Sequence, residues 1–167
     1  ALADCGIEQY TRTMQGLQCA VTEEKTLTAE TAAALPGTGE SVLDITGSFA
    51  AGSAAPATGQ VSVQGTLQIQ ICSQNTDTGE LTVRSKDLAV QQTLELPGVT
   101  EDDTALVRGE VLACTLSAVD GAGEASLSVT WKLRVEVWRS VQHTVVADAY
   151  STLCKTQTVQ TVCRLLQ

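Results

Sequence analysis

Aromatic residues make up only 3% of this 167-residue chain, and Phe49 is the only phenylalanine. The core must therefore be built from Val, Leu, Ile and Ala, and branched aliphatics suit strands. Basic residues are also scarce, ten Lys and Arg against nineteen Asp and Glu, which leaves a net charge of −9. Neutralising a phosphate backbone takes clustered Lys and Arg, so no nucleic-acid partner is expected. The same acidity disfavours an anionic membrane surface. No apolar run is long enough to cross a bilayer as a helix, so direct membrane insertion is not expected. The opening residues Ala1-Leu2-Ala3-Asp4-Cys5 lack the basic and apolar regions of a signal peptide.

What is present is alternation. Ala125, Leu127, Val129, Trp131, Leu133, Val135 and Val137 fall at every second position, with Ser126, Ser128, Thr130, Lys132, Arg134 and Glu136 between them. That pattern predicts a long strand with one buried face and one wet face. Val61, Val63, Leu67, Ile69 and Ile71 form a second run, in which Gly65 takes an apolar place and predicts a bulge or a close backbone approach.

Turn residues punctuate these runs. Asn75-Thr76-Asp77-Thr78-Gly79 and Asp120-Gly121-Ala122-Gly123 each separate two strands, and Leu96-Pro97-Gly98 precedes a solvated acidic loop, Glu101-Asp102-Asp103. Gly47 to Gly59, rich in Ala, Gly, Ser and Thr, reads as a strand start followed by a flexible loop. Thr28 to Leu35 fits a short helix by its alanines or an extended segment by its threonines. The expected architecture is all-β: an antiparallel meander of about six or seven strands, packed as a sandwich or partly open barrel, with at most one short helix.

Six cysteines, at 5, 19, 72, 114, 154 and 163, invite a disulfide reading. A chain of this length does not need staples, no C-x-x-C spacing occurs, and Cys114 sits in an apolar run. Free, mostly buried thiols are favoured, with disulfides and zinc as alternatives.

Catalytic patterns are missing. His143, the only histidine, alternates with apolar residues and reads as the wet face of an edge strand. Neither Asp77 with Gly79 nor Glu101 to Asp103 follows a calcium-loop pattern. The glycine pairs at 37 and 39 and at 121 and 123 lack the following Lys-Ser/Thr of a phosphate loop, and no Gly-x-Ser-x-Gly elbow occurs. The expectation is a non-catalytic chain with no cofactor and no metal. Binding is expected on strand edges or on the polar face of the long strand, where Lys132, Arg134 and Glu136 project together. Trp138 breaks register with Trp131 and reads either as an interface anchor beside Arg139 or as a cap on the sandwich end.

Ala3-Asp4 and Ala147-Asp148 share one offset with Cys19 and Cys163. The echo suggests one repeat unit and the opening of the next. Three segments follow: 1–26 as an N-terminal segment, a linker from a preceding repeat; 27–152 as the β domain; and 153–167 as the start of the next repeat.

The middle of the chain resembles the SPOCS domain of the SipL family. The resemblance rests on Gly65 to Cys72, Gly79-Glu80-Leu81, Leu94 to Val99, Arg108-Gly109-Glu110-Val111, Leu127 to Trp138, and the closing Asp148-Ala149-Tyr150-Ser151. Leu35-Pro36 and Val42-Leu43-Asp44-Ile45 fit the lead-in, so the likeness spans Leu27 to Thr152, more in strand pattern than in single residues. It implies a protein–protein interaction module, one repeat of a spore coat or envelope assembly scaffold in endospore-forming Firmicutes. The implied partner is a coat morphogenetic ATPase, and the implied location is the mother-cell cytoplasm at the forespore surface. No segment resembles the LysM domain that such proteins often carry. A carbohydrate- or peptidoglycan-binding β domain is the alternative, a hydrolase is a remoter one, and self-association into a lattice is a purely structural reading.

Overall fold

A computed structural model describes residues 6–34, 39–118, 124–151, 153 and 155. Among the described residues six strands appear in chain order: β1 (Ile7–Ala34), β2 (Glu40–Ala57), β3 (Gln60–Asn75), β4 (Leu81–Glu95), β5 (Thr104–Ala118) and β6 (Glu124–Ser151). They form two antiparallel three-stranded sheets, ordered β1-β6-β5 and β2-β3-β4. The all-β expectation holds, and the sheets do not close into a barrel. Thr28 to Ala34, open between helix and extended chain in the sequence, belongs to β1. The predicted turn at 120–123 and Leu35-Pro36-Gly37 lie outside the described residues.

The chain divides into two compact units, one of 1–17 with 140–167 and one of 18–139. The larger contains the layered core. On β6 every odd position from Ala125 to Val137 is buried, as the alternation predicts. On β3 the buried set is Val61, Val63, Leu67, Ile69, Ile71 and Ser73. Removing each such Val, Leu or Ile side chain from water is worth about 1.5–3 kcal/mol.

Gly65 meets the close-approach alternative, while the bulge falls on the facing strand and not at Gly65 itself. Its partner in the β2 register is Ala51, next to a bulge between Ala51 and Ser53 that leaves Gly52 unpaired. A methyl group at Gly65 would lie 2.5 Å from the Phe49 ring and 2.9 Å from the Ala50 carbonyl oxygen. On the other sheet, Gly109 leaves the same ring its space, and Phe49 stacks on Trp131 with ring centroids 5.0 Å apart. Two glycines and a tryptophan thus make a slot for the single phenylalanine, joining β2 to β5 and β6. Gly47 repeats the device on a smaller scale: a methyl there would meet Val111 and Cys114.

The stretch Gly47 to Gly59 is a correction. It forms most of β2 and extends to Ala57, despite Gly52 and Pro56. Pro56 is tolerated because β2 lies at a sheet edge, where a missing N–H costs no ladder bond on the open side. A two-residue connection through Gly59, with φ +76°, leads into β3.

A second correction concerns the acidic loop. Asp103 is not solvated; it is buried at 6% exposure. It accepts two hydrogen bonds from Arg139, from Nε at 2.7 Å and Nη2 at 2.6 Å, and a third from the Thr100 backbone N–H at 2.9 Å. Arg139 also donates to the Gly98 carbonyl at 2.6 Å, tying the β4–β5 connection to β6. Bidentate guanidinium contact holds the Asp103 carboxyl well below the usual carboxylate range, against the opposing effect of burial.

The smaller unit comprises residues 1–17 and 140–167. Within it, Ile7 to Leu17 and Ser140 to Ser151 are extended, and Tyr150 donates a hydrogen bond to Glu8 Oε2. Ile7, Tyr10, Met14, Leu17, Val146 and Leu153 are all more than half exposed.

Candidate interaction face on the β1-β6-β5 sheet

Because the odd positions of β6 are buried, period-two geometry sends Lys132, Arg134, Glu136 and Trp138 to the opposite face. The sequence placed the first three together, and the structure does bring them together. Their order comes from a residue that was not singled out, Glu24 of β1. Its carboxylate meets Lys132 Nζ at 2.7 Å and Arg134 Nη1 at 3.5 Å. Arg134 Nη2 also reaches Glu136 Oε1 at 2.8 Å. The hydrogen bond from Lys132 is the largest influence on Glu24 and lowers its pKa.

The β5 side completes the face. Arg108 lies directly opposite Arg134, and Glu110 opposite Lys132. Glu24, Arg108, Glu110, Lys132 and Arg134 border a shallow depression of about 250 Å³ over Gly109. Among the described residues Arg108 has no carboxylate partner and faces a like charge across the ladder. The face is a mixed-charge network, with Lys132 and Arg134 bridged by Glu24 and one guanidinium, Arg108, left uncompensated. The only sequence sign of Glu24 is the acidic pair Glu23-Glu24, which cannot be assigned to a face without knowing that β1 pairs with β6.

Trp138 stands in the terminal pair of the β5–β6 ladder. It does not end its strand, since β6 continues to Ser151. It pairs with Thr104 and is half-buried, and its indole N–H is enclosed without an acceptor among the described residues. Trp131 is core, as expected.

The chemistry of reactive groups is sparse. His143 is exposed on β6. Among the described residues no group of three or more His, Cys, Asp or Glu is placed to hold a metal ion. The carboxylate oxygens of Asp103, once considered with its acidic neighbours for calcium, are occupied by Arg139 and Thr100. Cys19, Cys72 and Cys114 are free thiols; Cys72 and Cys114 are half-buried, but Cys19 is exposed, contrary to the expectation of burial. Burial pushes the Cys114 thiol up. Cys5, Cys154 and Cys163 lie outside the described residues. Among the described residues no helix is long and apolar enough to cross a membrane.

A second polar lock was also missed. Glu40 accepts a bidentate pair from Arg84, at 2.7 and 3.0 Å, and a bond from Ser73 at 2.9 Å. It joins β2, β3 and β4 at one end of their sheet.

No family description, no curated protein and no solved structure matches this chain.

Proposed function

We propose that this chain is a non-catalytic protein–protein interaction module, one repeat of a spore coat or envelope scaffold of the kind it resembles. The observation that carries the binding reading is the ordered lattice of Glu24, Lys132, Arg134 and Glu136 beside the uncompensated Arg108. A sheet face with charges fixed in a set order favours a protein partner of complementary order, and such charges govern specificity and association rate more than bulk affinity. Half-buried Trp138 lies on the same face of β6, next along from Glu136. The spore assignment rests on the resemblance over Leu27 to Thr152, and the partner it suggests is a coat morphogenetic ATPase.

Isothermal calorimetry between the full chain and that ATPase from the same organism tests the proposal. Saturable binding that weakens in Arg134→Glu and in Arg108→Glu, with circular dichroism unchanged, is the expected result. An intact fold with no binding would reject the ATPase as partner. Binding unaffected by both reversals would reject this face.

A further inference from the structure

The β2-β3-β4 sheet carries a different surface, at the free edge of β4. We propose that the stretch Leu81 to Lys86 captures an extended segment of another protein, adding it as a fourth strand. The captured segment carries an aliphatic residue and, two positions away, an acidic one.

Three observations converge on that stretch. The first is hydrogen-bonding capacity: β4 is paired to β3 on one side, and no strand of the described residues lies on its other side. A strand edge of this kind supplies main-chain donors and acceptors to an incoming chain. The second is apolar surface on both faces of that edge. On the outer face Leu81 and Val83 are each 61% exposed. On the inner face a cleft of about 230 Å³ is lined by Ala33 of β1, Ile71 of β3, and Arg84, Ser85 and Lys86 of β4. Successive side chains of an added strand would point alternately to these two places.

The third observation sets the charge. Arg84 is committed to Glu40, but Lys86 has no carboxylate partner among the described residues. Lys86 shares the inward face of β4 with Arg84 and Leu88, at a position where an apolar residue would continue the stripe. In a chain with nineteen acidic residues and ten basic ones, an unpaired ammonium on an apolar cleft fits a carboxylate from outside. Residues on one face of a strand are two apart, which fixes the spacing between the aliphatic and the acidic side chain. An inward lysine also deters indiscriminate edge pairing, so the same residue that rejects uncharged strands selects an acidic one. A second copy is a poor occupant: symmetric β4–β4 pairing over this stretch would gather the Arg84 and Lys86 cations of both copies on one face of the new ladder.

This site is separate from the Lys132–Arg134–Glu136 face and stands or falls without it. The test is a heteronuclear NMR titration of the full chain with blocked heptapeptides. One has the order threonine, threonine, valine, valine, glutamate, threonine, threonine; the second has lysine for glutamate; the third has proline for the second valine. The expected result is saturable shifts at Leu81, Val83, Lys86, Ala33 and Ile71 with the glutamate peptide, several-fold weaker binding of the lysine peptide, and none of the proline peptide. Lys86→Glu, an exposed change that leaves the fold intact, should reverse the glutamate–lysine preference. The proposal is overturned by equal binding of the charged peptides, by shifts elsewhere, or by no shifts at millimolar peptide. It is also overturned if the chain alone dimerises through this edge and Lys86→Glu changes that dimer.

Discussion

Replacing Gly109 by alanine puts a methyl group into the ring of Phe49, since the nearest atoms to that methyl are Cδ1, Cγ and Cβ of Phe49. Overpacking a filled core costs about 1–3 kcal/mol, because the ring must leave its rotamer or the sheets must part. Truncating a buried Phe to alanine typically costs about 3–5 kcal/mol, and the half-buried Phe49 should fall at or below the lower end. Loss of its stack on Trp131 is included in that figure. In a Phe49→Ala background the ring contacts at Cδ1 and Cγ are gone, and the Cβ contact at 2.9 Å remains. Gly109→Ala should then cost less than it does beside the ring. The double mutant should be more stable than the sum of the singles by about 1–2 kcal/mol, within the range found for residues in direct contact. Gly65→Ala is the control: its methyl meets the Ala50 carbonyl oxygen at 2.9 Å as well as the ring, so Phe49→Ala rescues it only in part. Urea unfolding followed by tryptophan fluorescence, with thermal midpoints as a check, measures all five variants. Equal costs of Gly109→Ala with and without Phe49 would refute the slot.

The remaining predictions concern the polar locks, a turn and the thiols. The Asp103 and Glu40 pKa values are lowered in the fold, so their contribution is fully present above the ordinary carboxylate range and is lost as pH falls through and below it. Urea midpoints should therefore decline below about pH 4, and Asp103→Asn should flatten that decline; an unchanged profile in the variant would remove Asp103 from the account. Asn75 Oδ1 accepts from the backbone N–H groups of Asp77 and Thr78, each at 2.9 Å, so Asn75→Ala should lower stability by about 1 kcal/mol in the same assay. Peptide mapping after brief iodoacetamide treatment should find Cys19 modified well before Cys114, whose thiol is half-buried and raised in pKa. Equal rates would contradict the placement of Cys114 against Gly47.

Where a single physical rule dominated, the sequence was legible. Strict alternation from Ala125 to Val137 predicted the face of every residue in that stretch of β6, because a strand admits only two sides. Gly65 was legible for a similar reason: a glycine in an apolar stripe requires something to occupy the space. The occupant was not legible, since Phe49 lies on another strand and only the sandwich brings it to Gly65 and Gly109. Gly47 to Ala57 misled because Ala, Gly and Ser have low strand propensity; pairing with β3 along its length overrides that preference. Asp103 misled because a run of three acids reads as solvated, and its partner Arg139 comes from a strand distant in sequence. The local clue was Thr100 three residues earlier, which lets the Asp103 side chain accept from the Thr100 N–H while the Asp103 N–H donates to the Thr100 carbonyl.

The same buried stripe that makes β6 legible also sets the order of the charged face. Lys132, Arg134 and Glu136 alternate with Leu133 and Val135, which are fully buried, so none of the three can change sides without exposing its neighbours. Their backbones are further fixed by unbroken pairing with β5 from Thr104 to Val111; the one irregularity lies beyond, between Val111 and Ala113. Glu24 joins from β1, so the lattice depends on the β1–β6 pairing as well. A face whose charge order is held by the core beneath it presents fixed spacings to a partner, and fixed spacing is what distinguishes recognition from general attraction between charged surfaces. The Lys86 edge differs in this respect: an incoming strand must form its own ladder before the cleft and the ammonium can read its side chains. Core-held order on one sheet and strand addition on the other therefore call for different readouts, charge reversal at Arg134 and Arg108 for the first and loss of a main-chain N–H in the ligand for the second.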